Sequence, residues 1–206
     1  MKRLFLILSV VFCISCASSD SNDENSEILT NDFPNYVDSI DLRIFARKGV
    51  SNIFLTNVGL AYNEMFTQIA DQTMRNEYLL TSKNKYVFQR VGVDGMSADG
   101  TPPKPYADNA TDYIWELKSG AAEQIGEVIE HLLHTVTAVV MYLTYSDWDY
   151  KNTSSQLYLA MREAVDKGIY DISSYDNLKG SNDYNRIITQ EYAYWLILAE
   201  WDYYVV

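Results

Sequence analysis

Cysteine is almost missing from this chain: two residues in 206, Cys13 and Cys16, both within the first sixteen. Beyond them no disulfide framework and no cysteine-type metal site can be built. Histidine is as scarce, the only two being His131 and His134, three apart in GEVIEHLLHTVT. Basic residues number 16 against 28 acidic ones, a net charge of −12 that no Lys/Arg cluster interrupts. Such a surface repels nucleic-acid phosphates and excludes nucleic acid as a partner. Internal repeats are lacking too, and the apolar run Leu4–Ile14 is too brief to span a bilayer.

What is present begins with MKRLFLILSVVFCISC. Lys2 and Arg3, the short apolar run and small Ser15 read as a secretory signal peptide over residues 1–15. Small residue then cysteine resembles the lipobox of bacterial lipoproteins, although Cys13 stands where that box usually has leucine. The resemblance implies that Cys16 is acylated, with palmitate among its acyl groups, and becomes the new N-terminus. Ala17 after it, rather than aspartate, implies sorting toward the outer membrane of a Gram-negative cell or its surface. A plain cleaved signal peptide with an incidental cysteine is the alternative.

Residues 16–39 are rich in Ser, Asn and Asp, with six acidic residues and no basic one. Little apolar surface is available there to offset ordering, so the segment reads as an acidic tether. It also resembles the export signals of surface-displayed lipoproteins; a plain spacer is the other reading. Loss of Lys2 and Arg3 with the signal moves the charge from −12 to −14. Six of the 28 acids lie in the tether, leaving 22 acidic against 14 basic side chains, or −8, on residues 40–206.

Residues 40–206 suffice for one globular domain. The expected class is α+β, predominantly α-helical, with long helices packed together and a few short strands. LRIFA (42–46) and KYVFQRVGV (85–93) have strand character. Ser51 is an N-cap for a helix over 51–76, whose Phe54, Val58, Ala61, Met65 and Ile69 recur every three or four residues. A long Gly/Pro/Asp loop follows at 94–112, then helices at 113–145, 154–167 and 184–205. The chain ends in AEWDYYVV, inside an apolar helical pattern without a stop signal, so a domain cut short at its C-terminus is expected.

The helix through GEVIEHLLHTVT divides into two faces at 100° per residue. Ile125, Val128, Ile129, Leu132, Val136, Val139, Val140 and Leu143 form one, and Glu123, Glu127, Glu130, His131 and His134 the other. From Val136 onward the helix is apolar nearly all round, which places the histidines at the edge of a core. In the last helix Glu191 is the single charge between Arg186 and Glu200, and the least costly partners for it are those histidines. His131, His134 and Glu191 make a workable ligand set for a divalent ion, zinc first, with Glu130 or Glu127 to activate a water. Neither the His-Glu-x-x-His of zincins nor the Glu-x-x-His of di-iron carboxylate helices is matched. A metal site, a metal-free acid–base site and a structural polar network all remain open.

EHLLHTVT (130–137), SSQLYLAMREAVDKGIY (154–170) and TQEYAYWLILAEW (189–201) resemble a group of secreted proteins. These share a Glu-x-x-x-His helix and a later Glu-Tyr-x-Tyr-Trp helix, with a loose likeness to zinc-peptidase domains whose motif is altered. The resemblance implies a site at Glu130, His134 and Glu191, supported by Tyr192 and Trp195; His131 is outside its pattern. Tyrosine is abundant, at 17 residues. Clusters such as YSDWDY (145–150) serve as carbohydrate-stacking platforms or as ordinary packing. The functional expectation is an envelope lipoprotein, held to the membrane by its N-terminal lipid, with a metal-dependent hydrolase site for extracellular peptide or glycan. The alternative is a non-catalytic surface module that binds protein or glycan and needs no cofactor, its His/Glu cluster being structural.

Overall fold

The computed structural model describes residues 30–67, 71–106, 112–118 and 121–201. The signal peptide, Cys16 and most of the expected tether lie outside them. Four strands form one mixed sheet in the order β1-β2-β3-β4: Asn35–Ser39, Leu42–Ala46, Phe88–Val93 and Tyr113–Glu116. β1 and β2 are an antiparallel hairpin, whereas β2–β3 and β3–β4 are parallel. The helices are α1 (Asn52–Thr67), α2 (Gln72–Asn84), α3 (Ala121–His134), α4 (Tyr142–Thr144), α5 (Gln156–Asp166) and α6 (Tyr184–Glu200). The class is therefore α+β with substantial helix.

Strand alternation sends the two faces of the sheet to different partners. Leu42, Ile44, Ala46, Val91 and Ile114 face the helices and join Phe54, Val58 and Tyr62 of α1 and Val128 and Leu132 of α3 in the main core. Phe45, Phe88 and Tyr113 face the other way and are covered by Phe33 and Tyr106. On this second face Gly92 is required for close approach. A Cβ there would lie 2.5 Å from Cζ3 of Trp115, whose ring stacks on Tyr113 at 4.6 Å.

Several boundaries differ from expectation, each for a physical reason. Residues 33–39 belong to the fold rather than to a tether: Phe33 is fully buried and β1 completes the hairpin. The expected helix over 51–76 is two helices. Ser51 does cap the first, its Oγ accepting from Phe54 N–H at 3.1 Å. Asp71 caps a second, accepting from the N–H groups of Thr73 (2.8 Å) and Met74 (3.0 Å). Residues 113–116, expected as the start of a helix, pair with β3 instead. The second expected strand is shorter, starting at Phe88. Helix α5 is placed as expected, with Ser155 as its N-cap, and α6 starts at the expected residue.

Candidate metal centre

Helix α3 is fixed to the edge strand β4 by its own polar side chains. Gln124 Nε2 donates to Trp115 O (2.9 Å) while its Oε1 accepts from Leu117 N–H (2.7 Å), and Glu127 Oε1 accepts from Trp115 N–H (2.9 Å). These three bonds take up backbone groups that an edge strand otherwise leaves open. They also set the rotation of α3, and with it the direction in which His131 and His134 point.

At His134 the helix changes geometry. Residues Thr135–Met141 are π-helical before one α turn returns in α4. Each π turn takes in an extra residue, so the 100° pattern drawn from the sequence drifts beyond His134. Thr135, Thr137 and Val140 turn inward while Val136 and Val139 are only half-buried. Single π turns within α-helices are frequent at functional sites.

The histidines differ in surroundings. His131 places Nδ1 2.9 Å from the carbonyl of Glu127; a carbonyl only accepts, so Nδ1 carries the proton and Nε2 of the neutral ring keeps its lone pair. His134 is 2% exposed, and both its ring nitrogens are buried without a hydrogen-bond partner. Asp112 Oδ2 lies 3.4 Å from Nδ1 and Glu191 Oε1 lies 3.5 Å from Nε2, close approaches without hydrogen-bond alignment. Glu130, His131 and His134 each offer one ligand atom, and these atoms lie within 4.8 Å of one another. Ligand atoms of a tetrahedral zinc ion stand about 3.4 Å apart, so this cluster holds one after drawing in by up to about 1.4 Å.

The two carboxylates flanking His134 are pulled in opposite directions. The neighbouring imidazole is the main reason that the Asp112 carboxyl is held well below the usual carboxylate range; burial opposes it. Burial raises Glu191, His134 pulls it back, and the charges of Glu130 and Asp112 push it further up. Gln190 Nε2 donates to Asp112 Oδ2 (3.0 Å), while Gln190 Oε1 accepts from Arg186 Nη1 (3.0 Å). Buried Gln89 donates to the Asp112 carbonyl (2.7 Å) and accepts from the hydroxyl of Thr135. Asp112 is thus held from two elements, β3 and α6, behind His134, although 43% of its side chain remains exposed.

The structure therefore brings together Glu130, His131 and His134, and Glu191 meets this group at His134. Glu127 stands beside them, its Oε1 3.5 Å from His131 Nδ1, but the same oxygen is engaged by Trp115 N–H. Tyr192 packs on Tyr170 (centroids 5.5 Å apart). The residue against His134 is Tyr194, edge-on at 5.9 Å, and exposed Trp195 meets Tyr194 at 5.2 Å. Sequence reasoning missed Asp112, Gln190 and Gln89, and also Tyr170 and Tyr175, whose phenols are raised by burial and by the charge of Glu191. A signal for Asp112 existed: it precedes YIWE, an alternating stretch that reads as a strand with Asp112 on the Ile114 face. Cys16 lies outside the described residues. Compared with protein-family models, curated proteins and solved structures, the chain matches none.

Proposed function

We propose that this chain is an envelope lipoprotein, anchored through Cys16 at the outer membrane or cell surface, whose folded domain carries a divalent-metal site of hydrolase type. The observation that carries the metal reading is His134: a buried imidazole with neither nitrogen hydrogen-bonded, between two carboxylates and beside a second histidine. Orphaned buried polar atoms are rare and call for a ligand that satisfies them. His131 and His134 through Nε2, together with Glu191, form a nitrogen and oxygen set suited to zinc. Each histidine has an oxygen behind Nδ1, the Glu127 carbonyl bonded to His131 at 2.9 Å and the Asp112 carboxylate 3.4 Å from His134, on the side where outer-shell groups orient imidazole ligands.

A bound divalent ion would supply an acidified water and charge stabilisation for hydrolysis of an extracellular peptide or glycan. Glu130, in the same cluster and on the same helix face, is the proton acceptor for that water. Asp112 orients His134, and Glu127 positions α3 against β4. Elemental analysis of the full chain tests the site: near-stoichiometric zinc is expected, and its loss in His134→Ala. Glu130→Gln is expected to keep the metal and lose hydrolysis; undiminished hydrolysis in that variant removes Glu130 from its role.

A second reading is favoured by the hydrogen bonds from Gln89 and Gln190 to Asp112 and from Arg186 to Gln190. They are what a structural polar network contains, and on this reading the domain is a non-catalytic surface module. A well-folded chain that stays metal-free with zinc added decides for it.

A further inference from the structure

Away from the histidine cluster, at the turn end of the β1–β2 hairpin, lies an open cavity of about 320 Å³. That volume is at the small end of the range for ligand pockets. Among the described residues, two non-glycine residues have positive φ, Ile40 (+53°) and Tyr86 (+52°), and both line this cavity. Ile40 is the first residue of the two-residue turn between Ser39 and Leu42, where this sign of φ is usually met by glycine. Tyr86 lies just past the end of α2, the left-handed position that helices normally fill with glycine or asparagine. Strained backbone of this kind is held by the structure around it and clusters at functional and ligand-binding sites. Ile40 is half-buried against the main core, so packing accounts for part of its placement. Tyr86 is 46% exposed and outside the main core, its ring resting on Tyr106.

The chemistry of the lining narrows the occupant. The ring of Tyr86 meets Tyr106 edge-to-face at 5.6 Å, leaving aromatic surface at the cavity wall. Asp38 and Asp41 contribute two negative charges and Arg43 and Lys83 two positive ones, so the cavity selects neither an anion nor a cation. Asp38 and Arg43 neutralise each other directly through bonds of 2.7 and 2.8 Å. The turn and the end of α2 are tied together by Ser82 Oγ donating to Asp41 O at 3.0 Å, which holds the two strained residues in register. Aromatic surface beside interleaved donors and acceptors with no net charge suits a neutral polyhydroxylated ligand that stacks a C–H face and exchanges hydrogen bonds.

We propose that this cavity is a binding site for a neutral mono- or disaccharide, with Tyr86 as its stacking platform. It shares no residue with the histidine cluster and stands whether or not that cluster binds a metal.

The test is saturation-transfer NMR on the full chain with glucose, galactose, mannose, N-acetylglucosamine and their disaccharides, with acetate and methylammonium as charged probes, followed by affinity titration of the strongest binder. Binding of a neutral sugar is expected in the wild type and in Tyr86→Phe, which keeps the ring. In Tyr86→Asn it should weaken by about tenfold or more, a loss on the scale of one aromatic contact. Thermal unfolding of Tyr86→Asn should stay at or above the wild-type temperature, since asparagine tolerates positive φ. Absence of binding by any sugar in the panel, a preference for either charged probe, or unchanged affinity in folded Tyr86→Asn overturns the proposal.

Discussion

Replacing Gln124 by alanine is the sharpest test of how the histidine helix is held. The side chain makes two hydrogen bonds to one edge strand, donating to Trp115 O at 2.9 Å and accepting from Leu117 N–H at 2.7 Å. A neutral protein hydrogen bond contributes about 1 kcal/mol net, so the pair is worth about 2 kcal/mol. Alanine's better helix propensity returns a few tenths of a kcal/mol. For a domain of this size each kcal/mol moves the melting temperature by about 2–4 °C, giving an expected fall of about 4–8 °C in Gln124→Ala. Circular dichroism at 222 nm follows the transition, and hydrogen exchange at Trp115 and Leu117 reports whether the strand edge is released. Gln124→Glu keeps the acceptor toward Leu117 N–H but turns a carboxylate on the Trp115 carbonyl, so it should do no better than alanine. A fall of less than about 1 °C in both variants would refute the claim that these side-chain bonds hold α3 on β4.

Gly92→Ala forces a methyl to within 2.5 Å of the Trp115 ring, with an overpacking cost of about 1–3 kcal/mol that exceeds the entropic gain of about 0.4–1 kcal/mol. Thermal unfolding should show the loss, and adding Trp115→Leu should recover part of it. With free zinc at about 100 times its dissociation constant the ion adds about 2.7 kcal/mol, so chelation should lower the wild-type melting temperature by about 5–11 °C. His134→Ala should not respond to chelator; an equal response in both proteins would place the zinc elsewhere. Cys16→Ala should abolish incorporation of labelled palmitate in the bacterial host, and persistent labelling would move the lipid site.

Regularities confined to one segment were legible in the residues themselves. LRIFA coincides with β2, because alternation and β-branching act within five residues. Ser51 caps α1, because the cap is closed three residues away at Phe54. The scarcity of cysteine and histidine restricted the ligand chemistry to one helix face, and the cost of a lone carboxylate pointed Glu191 toward His134, where the structure places it. Tertiary structure decided what depends on partners distant in the chain. Asn35–Ser39 is a strand because β2 lies beside it, despite its tether-like composition. Residues Tyr113–Glu116 are β rather than α because β3 and the side chains of α3 take up their backbone groups. Thr135, the first residue of the π segment, meets Gln89 from β3, forty-six residues earlier. Asp112 reached His134 because β4 and α3 dock against each other, a contact that no periodicity within either segment encodes.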